Sequence, residues 1–285
     1  MSAICRIGGV PEHYNAPWQT ALQAFEDPEY AFTWENVPQG TGAMLEALLG
    51  GKLDVALVLT EGAVARAVNK GDIKIIGTFV STPLHWGIHT SGSAKNISEL
   101  NLSESVFGIS RYGSGSHIMA MILAKQHNVT APNFKVVDTM AGAADAMKKG
   151  DIDLFLWDIA TADLYARENV WKCIGTVSGD WPAFVLATSS SDVSLRSAIY
   201  RCLNQVRNHA ILLKEEQEFA VFFLCDKYKL TQEQAADFLE SVSWTAAPDI
   251  SGSALGRVQL ALHEAGVIEK IAPLDQIVDC VVLDN

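Results

Sequence analysis

Residues 46–59, EALLGGKLDVALVL, have a counterpart in residues 145–158, DAMKKGDIDLFLWD. Each stretch begins with apolar residues at helical spacing, turns at Gly51 or Gly150, and ends in an apolar run typical of a buried strand. Asp54 and Asp153 stand at matching places just before these runs. The repeat predicts two helix–turn–strand units and an α/β fold. The alternative is that any two such units of an α/β protein look alike.

Short apolar runs that read as strands surround the repeat and alternate with helical segments. They are ICRIGGV, YAFTWENV, LDVALVL, IKIIGTFV, WGIHT, SVFGIS, FKVVDT, IDLFLWD and AFVLATS. This alternation predicts mostly parallel pairing. After Ser191 the pattern becomes mainly helical, with a capping box at Thr231 and Gln234 and a terminating Gly266. We expect these C-terminal helices to cover a sheet that the earlier residues build.

Composition excludes several classes of partner. The chain has 285 residues, a hydrophobic fraction of 49% and a formal net charge of -12. Nucleic acid and anionic membrane surfaces both require a basic footprint, so neither is an expected partner. No apolar stretch is long enough for membrane insertion. Five scattered cysteines without CxxC spacing, and no signal-peptide pattern at the start of the chain, predict free thiols and a cytoplasmic location.

A glycine–serine loop lies within residues 107–128, FGISRYGSGSHIMAMILAKQHN, between a short strand and a helix. Gly113 and Gly115 let the backbone turn tightly, and Ser114 and Ser116 suit the first helical turn as caps. A helix start of this kind attracts anions through its free N–H groups and its dipole. The alternative is a plain helix cap in a connecting loop.

The same loop does not match a nucleotide-binding motif. In the dinucleotide pattern GxGxxG the third glycine would fall at Ile118, and a P-loop would need Lys followed by Ser or Thr where this chain has Ser116 and His117. We therefore expect no nucleotide there.

Three stretches together resemble the type II periplasmic-binding-protein fold. They are GTGAMLEALLGGKLDVALVLTEG, ISELNLSESVFGISRYGSGSHIMAMILAKQHNV and SALGRVQLALHEAGVI. The branch is similar to the nitrate, sulfonate and taurine receptors and to the fungal thiamine-pyrimidine precursor synthases, and most closely to cytosolic fungal and bacterial relatives without assigned ligands. The resemblance covers nearly the whole chain and identifies the fold better than the ligand.

The resemblance implies two α/β lobes with a ligand cleft between them. Lobe one would comprise residues 1–84 and 184–285, including the C-terminal helices, and lobe two residues 88–181. Crossing segments near 84–90 and 181–187 would join them, with Gly87 and Ala183 absorbing changes in backbone angle. The oligomeric state stays open.

The resemblance also implies which residues contact a ligand, because ligands of open α/β sheets bind at the carboxyl ends of strands. On lobe one these include the segment from Gly9 to Tyr14. The full set of candidate ligand-binding residues is Tyr14, Gly40, Thr41, Gly42, Thr60, Glu61, Trp86, Arg111, Tyr112, Gly113, Ser114, Gly115, Ser116, Thr139, Trp157, Asp158 and Trp181. Arg111 is expected to supply a counter-charge, and an exposed arginine without a ligand role is the alternative.

Departures from the relatives limit the chemistry. The fungal precursor synthases carry a cysteine-rich iron-associated motif and bind pyridoxal phosphate, whereas this chain has no cysteine cluster. We therefore expect no cofactor, no metal and no catalytic residue set. His85 and His89 stand four apart on a predicted strand, which does not favour a metal pair. His13 and His117 lie on cleft loops and suit ligand hydrogen bonds, with solvated histidines as the alternative.

Three functions are consistent with this pattern. The first is a cytoplasmic, non-catalytic protein that closes two lobes around a small planar, anionic or zwitterionic metabolite. The second is an enzyme on the same scaffold, in cofactor or quinone-precursor metabolism, with Glu61, Asp158 or His117 as proton-transfer groups. The third is the extracytoplasmic receptor of an ABC transporter whose leader has been removed. The expected ligand carries an amino or ring N–H group, because Glu61 and Asp158 add hydrogen-bond acceptors.

Overall fold

The strands and helices follow the order that the sequence predicts, with additions at the sheet edges. The structure is a computed structural model that describes residues 3–283. The strands are β1 (Ala3–Gly9), β2 (Tyr30–Asn36), β3 (Val55–Leu59), β4 (Lys74–Val80), β5 (His85–Thr90), β6 (Val106–Ile109), β7 (Asn133–Val136), β8 (Leu154–Asp158), β9 (Lys172–Ser178), β10 (Phe184–Thr188), β11 (Trp244–Ala247), β12 (Asp249–Ser251) and β13 (Val281–Leu283). The helices are α1 (Ala16–Ala21), α2 (Thr41–Leu49), α3 (Thr60–Lys70), α4 (Gly115–Gln126), α5 (Met140–Lys148), α6 (Ile159–Arg167), α7 (Val193–Glu215), α8 (Gln217–Tyr228), α9 (Gln232–Ser241) and α10 (Gly252–Glu264).

The first unit comprises the chain up to Thr82, residues Trp181–Arg257 and the chain from Ala272 onward. Its six-stranded sheet has the order β11-β4-β10-β3-β1-β2. Strands β1, β2 and β3 are parallel, whereas β10 runs antiparallel to both β3 and β4. The central strand β3 is apolar and almost wholly buried, as expected for a strand covered on both faces.

The second unit comprises Pro83–Asp180 and Val258–Ile271. Its five-stranded sheet has the order β7-β6-β8-β5-β9, with β6 parallel to β7 and β8, and β5 antiparallel to β8 and β9. Five strands of the first unit, β2-β1-β3-β10-β4, follow the same pattern of order and direction. Both sheets are mixed, so the expectation of mostly parallel pairing is wrong; β5 and β10 each pair antiparallel with both neighbours.

The repeated stretches occupy equivalent places in the two units. In each, a helix (α2 or α5) precedes the central strand (β3 or β8) and a second helix (α3 or α6) follows it. The aspartates of the repeat play the same part: Arg6 N–H donates to Asp54 Oδ2 at 2.7 Å, and Val106 N–H donates to Asp153 Oδ2 at 2.8 Å. Each carboxylate therefore ties the start of a central strand to its neighbour.

The division of the chain differs from the predicted one in three places. The changes of unit fall between Thr82 and Pro83 and between Asp180 and Trp181, and residues 258–271 group with the second unit rather than with lobe one. Within that unit, Glu264 and Ala265 line the same surface groove as Met121 and Lys125 of α4.

Gly87 is not placed to act as a hinge. It lies inside β5, buried, in register with Trp157 of β8 on one side and Thr176 of β9 on the other. The two-sided pairing holds its backbone angles in the strand. The predicted hinge at Ala183 lies beside the second change of unit, where its N–H donates to the Thr82 carbonyl at 3.2 Å.

The C-terminal helices form as the sequence predicts. Thr231 and Gln234 make the reciprocal capping-box bonds that open α9, and Gly266 has a φ of +73° just beyond the end of α10. Helices α7, α8 and α9 belong to the first unit, where α7 packs on α1 and β11. Within the described residues, no helix is long and apolar enough to cross a membrane.

Candidate functional site

Tyr14 lies in an aromatic cluster of the first unit, in the loop that follows β1. Its ring centroid is 5.2 Å from that of Phe184 and 5.0 Å from that of Phe238, and its carbonyl accepts from Trp244 Nε1 at 2.8 Å. The neighbouring His13 is buried and meets Phe238 edge-on at 4.3 Å. The half-buried Tyr14 ring is thus held in place by its neighbours.

The starts of α2 and α3 pack against each other in the same unit. Gly40 precedes α2 with a φ of +80°, and Leu59 N–H donates to Thr41 Oγ1 at 3.1 Å. A Cβ added at Gly62 would lie 2.6 Å from Thr41 Cγ2, so only glycine permits this approach. The candidate residues Gly40, Thr41, Gly42, Thr60 and Glu61 are therefore neighbours at the carboxyl end of β3.

Glu61 is buried in the first turn of α3, with 2% of its surface exposed. Trp181 Nε1 donates to its Oε2 at 3.1 Å, while its Oε1 is buried and has no hydrogen-bond partner among the described residues. Burial raises the pKa of Glu61 to about 7, against the opposing effects of its own backbone N–H and of Trp181. The adjacent Thr60 hydroxyl donates to the Pro182 carbonyl at 2.5 Å.

The glycine–serine loop of the second unit satisfies much of its own polarity. Ser114 is the N-cap of α4, with its hydroxyl accepting from His117 N–H, and Ser116 Oγ accepts from Ser110 N–H at 3.0 Å. Gly113, with a φ of +78°, donates its N–H to His117 Nδ1 at 3.1 Å. The predicted cap at Ser114 forms, and Ser116 instead braces the loop from within.

Arg111 of the same loop carries an unpaired guanidinium. Its side chain is half-buried and forms no hydrogen bond or ion pair with the described residues. Burial lowers its pKa, and no carboxylate offsets that effect. Six other arginines form ion pairs or carbonyl contacts with protein groups: Arg6, Arg66, Arg167, Arg196, Arg201 and Arg207.

The remaining aromatic candidates differ in exposure. Trp86 and Trp181 are buried, Trp157 is half-buried and stacks on Phe155 at 5.3 Å, and Tyr112 is 66% exposed. Trp86 meets Trp157 edge-on at 6.4 Å. Trp157 and Tyr112 therefore offer ring surface, whereas Trp86 and Trp181 serve mainly in packing.

Thr139 and Asp158 are N-caps of α5 and α6. Thr139 Oγ1 accepts from Gly142 N–H at 3.1 Å, and Asp158 Oδ1 accepts from Thr161 N–H at 2.9 Å. Both side chains thus satisfy the first turn of their own helix, a role that the sequence prediction did not include.

Comparisons with known proteins bear on the whole arrangement. A family model described as Ca3427-like PBP matches residues 86–177. The structure of the CA3427 gene product of Candida albicans, described as having the generic periplasmic binding protein fold, matches with a TM-score of 0.87 and 22% identity, over 99% of this chain and 98% of that one. The chain has the periplasmic-binding-protein fold.

Two bacterial structures share the periplasmic-binding-protein fold at lower similarity. The ligand-binding component of an ABC-type import system from Staphylococcus aureus, with zinc bound, matches with a TM-score of 0.75 and 15% identity over 98% of this chain and 97% of that one. The aliphatic sulphonate binding protein SsuA from Escherichia coli matches with a TM-score of 0.74 and 16% identity over 98% of both chains. No curated protein sequence matches the chain.

The two histidines of β5 lie in different surroundings. His89 is buried in β5 with its Nε2 3.4 Å from the Trp157 carbonyl, while His85 is exposed. Among the described residues, no group of three or more His, Cys, Asp or Glu side chains is arranged to hold a metal ion.

The sequence itself shows that the two copies of the repeat differ in their helix-capping residues. The alignment that pairs residue 46 with residue 145 also pairs Gly40 with Thr139 and Leu59 with Asp158. Capping side chains therefore stand before both helices of one copy and before neither helix of the other. The Trp181–Glu61 bond, in contrast, joins residues 120 positions apart and leaves no local pattern.

Proposed function

We propose that the protein is a small-molecule binding protein whose ligand is planar and carries an anionic group. The fold supports ligand binding, and the unpaired guanidinium of Arg111 supports the anionic group. A half-buried cation without a partner is unfavourable in the empty protein, and a ligand carboxylate or sulfonate would relieve that cost. This one observation carries the proposal.

The planar character of the ligand rests on ring surface beside polar groups. Trp157 is stacked on Phe155 and remains half-buried, and the half-buried Tyr14 is held in its aromatic cluster. Flat side chains of this kind favour flat solutes. In its ionised form Glu61 adds an acceptor for an amino or ring N–H group, which makes a zwitterion or an acidic heteroaromatic the preferred class.

We also propose that the two units close on the ligand, a motion in which each compact unit stays rigid while the connections change their backbone angles. The expected result is a smaller radius of gyration in small-angle scattering when ligand is added. An unchanged radius at saturating ligand argues against closure.

Native mass spectrometry of gently purified protein is the experiment that tests the proposal. A retained small molecule is expected, seen as a mass increment that denaturation removes. The same preparation of Arg111→Ala should retain less of it. If neither protein carries an increment, and no planar acid raises the melting temperature of the wild type, the binding function is wrong.

A second candidate function is proton-transfer catalysis on the same scaffold, because a buried Glu61 with a pKa of about 7 is suited to give or take a proton at neutral pH. Incubating the protein with the recovered molecule separates the two functions. A chemical change that Glu61→Gln abolishes would favour the enzyme, and recovery of the unchanged molecule favours the binding protein.

We propose a cytoplasmic location as well. All five cysteines are free, including the buried Cys5 and Cys202. Free thiols suit a reducing compartment. Cell fractionation with an antibody to the chain tests this, and enrichment in an extracytoplasmic fraction would favour a transport receptor instead.

A further inference from the structure

Leu59 and Asp158 have the same backbone conformation before equivalent helices. Their φ and ψ angles are -58° and 134° at Leu59, and -54° and 133° at Asp158. Asp158 accepts from the N–H of Thr161, the third residue of α6. The third residue of α3 is Gly62, and the N-cap Leu59 offers no side-chain oxygen to its N–H. The geometry of a capped helix start is present at α3, and the cap is missing.

The start of α2 also lacks a side-chain cap, although its backbone differs from that of α5: φ is +80° at Gly40 and -131° at Thr139. Thr139 caps α5 by accepting from Gly142 N–H, whereas Gly40, its counterpart, makes no side-chain cap for α2. Because Thr41 and Gly62 are in contact, the two uncapped starts adjoin. The Thr60 N–H of α3 already donates to the Ala183 carbonyl at 3.1 Å, so the N–H groups on offer come from Gly62 and from the first turn of α2. They and the positive ends of the two helix dipoles meet in one place.

Glu61 supplies a second and independent indication of a ligand here. Its side chain is almost fully buried in the first turn of α3, with Oε2 occupied by Trp181 Nε1–H and Oε1 left without a partner among the described residues. A buried, unpartnered carboxyl oxygen is costly. Since Oε2 already accepts a hydrogen bond, a proton on the carboxyl belongs on Oε1, where residues 3–283 provide no acceptor.

The charged groups on the elements packed against α3 do not pair with the Glu61 carboxyl. Strands β3 and β10 bring no ionisable side chain, and α2 brings Glu46, which pairs with Arg66 of α3 at 2.8 Å. Strand β4 brings Lys74 at its amino end, where the ammonium donates to the Asp275 carbonyl at 2.7 Å. Lys70 lies in the last turn of α3, and the buried His13 ring contacts Tyr14 and Phe238.

We propose that the uncapped starts of α2 and α3 form an oxyanion site in which Glu61 binds as the neutral acid, donating from Oε1 to a ligand carboxylate or sulfonate. This inference rests on the proposed function, and it names both the ligand group and its regulation by pH. Helix N–H groups stabilise the anion. An ionised Glu61 carboxylate would repel the anion, whereas the neutral acid donates a hydrogen bond to it.

The proton balance follows from the pKa of about 7. Below pH 7 the acid already carries its proton, and the oxyanion binds without exchange. Above pH 7 the carboxylate must take one proton from solvent as the oxyanion binds. The affinity is then expected to fall about tenfold for each pH unit above 7, the slope of a single coupled proton.

Methanesulfonate is the probe that separates protein protonation from ligand protonation, because it stays ionised throughout this range. Calorimetric titration of the wild type at pH 6 and pH 8 should give about tenfold weaker binding at pH 8. Repeating the pH 8 titration in two buffers of different ionisation enthalpy should show uptake of close to one proton. Glu61→Gln, which always donates through its amide, should bind with equal affinity at both pH values.

Three further variants assign the effect. Glu46→Gln, at an exposed glutamate of α2, should keep the pH dependence of the wild type. Leu59→Asp restores the cap that Asp158 provides in the second unit and should abolish methanesulfonate binding. Arg111→Ala should keep the pH dependence even where it weakens binding.

Two outcomes overturn the inference. The first is methanesulfonate binding whose affinity in the wild type is the same at pH 6 and pH 8. The second is no methanesulfonate binding at either pH. In both cases the proposed function stands or falls separately, on the molecule retained in native mass spectrometry.

Discussion

The carboxyl ends of β3 and β8 have the same backbone and different chemistry. In the second unit Thr139 and Asp158 satisfy the helices on either side of β8, whereas in the first unit Gly40 and Leu59 leave the corresponding helices uncapped. The opposite ends of the same strands do not differ in this way, since Asp54 and Asp153 make matching bonds to neighbouring strands. The two copies of the repeat therefore share the contacts that hold each sheet together and differ at the edge where we propose that the ligand binds.

The largest expected effect is a pH dependence that belongs to Glu61. Its pKa is about 7 in the folded protein and about 4.3 in an unfolded chain. The folded state therefore holds the proton more tightly, and stability falls as pH rises from about 4.3 to about 7 by roughly 3 kcal/mol. In urea unfolding, the free energy of unfolding of Glu61→Gln relative to that of the wild type should rise by about this amount between pH 4.5 and pH 8.

The control for this comparison is Glu46→Gln, whose exposed carboxyl should give a difference from the wild type that barely changes with pH. A Glu61→Gln curve parallel to that of the wild type would show that the Glu61 carboxyl is not held neutral.

Gly142 tests the second unit at a place where the repeat differs. A Cβ there would lie 2.0 Å from the Val137 carbonyl oxygen, whereas its counterpart Ala43 already carries one. Gly142→Ala is expected to cost about 2 to 3 kcal/mol of stability through this clash. Ala43→Gly, the matched change in α2, should cost only about 1 kcal/mol. Equal losses in urea unfolding would contradict the close approach at Gly142.

Substitution of Arg111 tests whether the second unit, whose helix starts are capped, contributes to ligand binding. Arg111→Ala is expected to weaken binding of the recovered ligand by about 1 to 3 kcal/mol, because a charge-assisted bond is lost. The melting temperature of the protein without ligand should hardly change, since the Arg111 side chain has no partner in the part of the chain that the structure describes. Arg167→Ala, which breaks a surface ion pair with Asp163, is the matched control and should leave calorimetric affinity unaltered.

The smallest effects concern the caps themselves. Thr139→Ala and Asp158→Ala should each cost about 1 kcal/mol of stability, because one helix N–H in each case loses its acceptor. Gly40→Ser is no equivalent, as Gly40 has a φ of +80°. If either alanine variant melts like the wild type, the helix starts of the second unit are less dependent on their caps than the contrast with the first unit requires.

Much of the fold was readable from local patterns, and the missing parts have identifiable reasons. The predicted strands and the capping box at Thr231 formed because apolar runs and cap residues act over a few positions. Strands β9, β11, β12 and β13 were missed. The first two are sheet edges with mixed composition, and the last two have only three residues each. The grouping of residues 258–271 with the second unit was also missed, since an apolar helix face does not show which surface it will cover.

The sequence placed the candidate residues at the ends of the repeated units and did not indicate their chemical surroundings. The ends of the repeated units located Glu61 and Asp158, yet one became a buried acid and the other a cap. That difference depends on Trp181, which lies 120 residues from Glu61 along the chain. The unpaired state of Arg111 likewise depends on which carboxylates fold near it.

The protonation of Glu61 can be observed directly by carbon-13 NMR of protein labelled at the glutamate carboxyl carbon, with Glu61→Gln identifying the resonance. We predict a single carboxyl that titrates near pH 7 and is absent from the variant. A Glu61 resonance that titrates near its ordinary value of about 4.3 would contradict the account, because the open helix starts would then hold an ionised carboxylate at neutral pH.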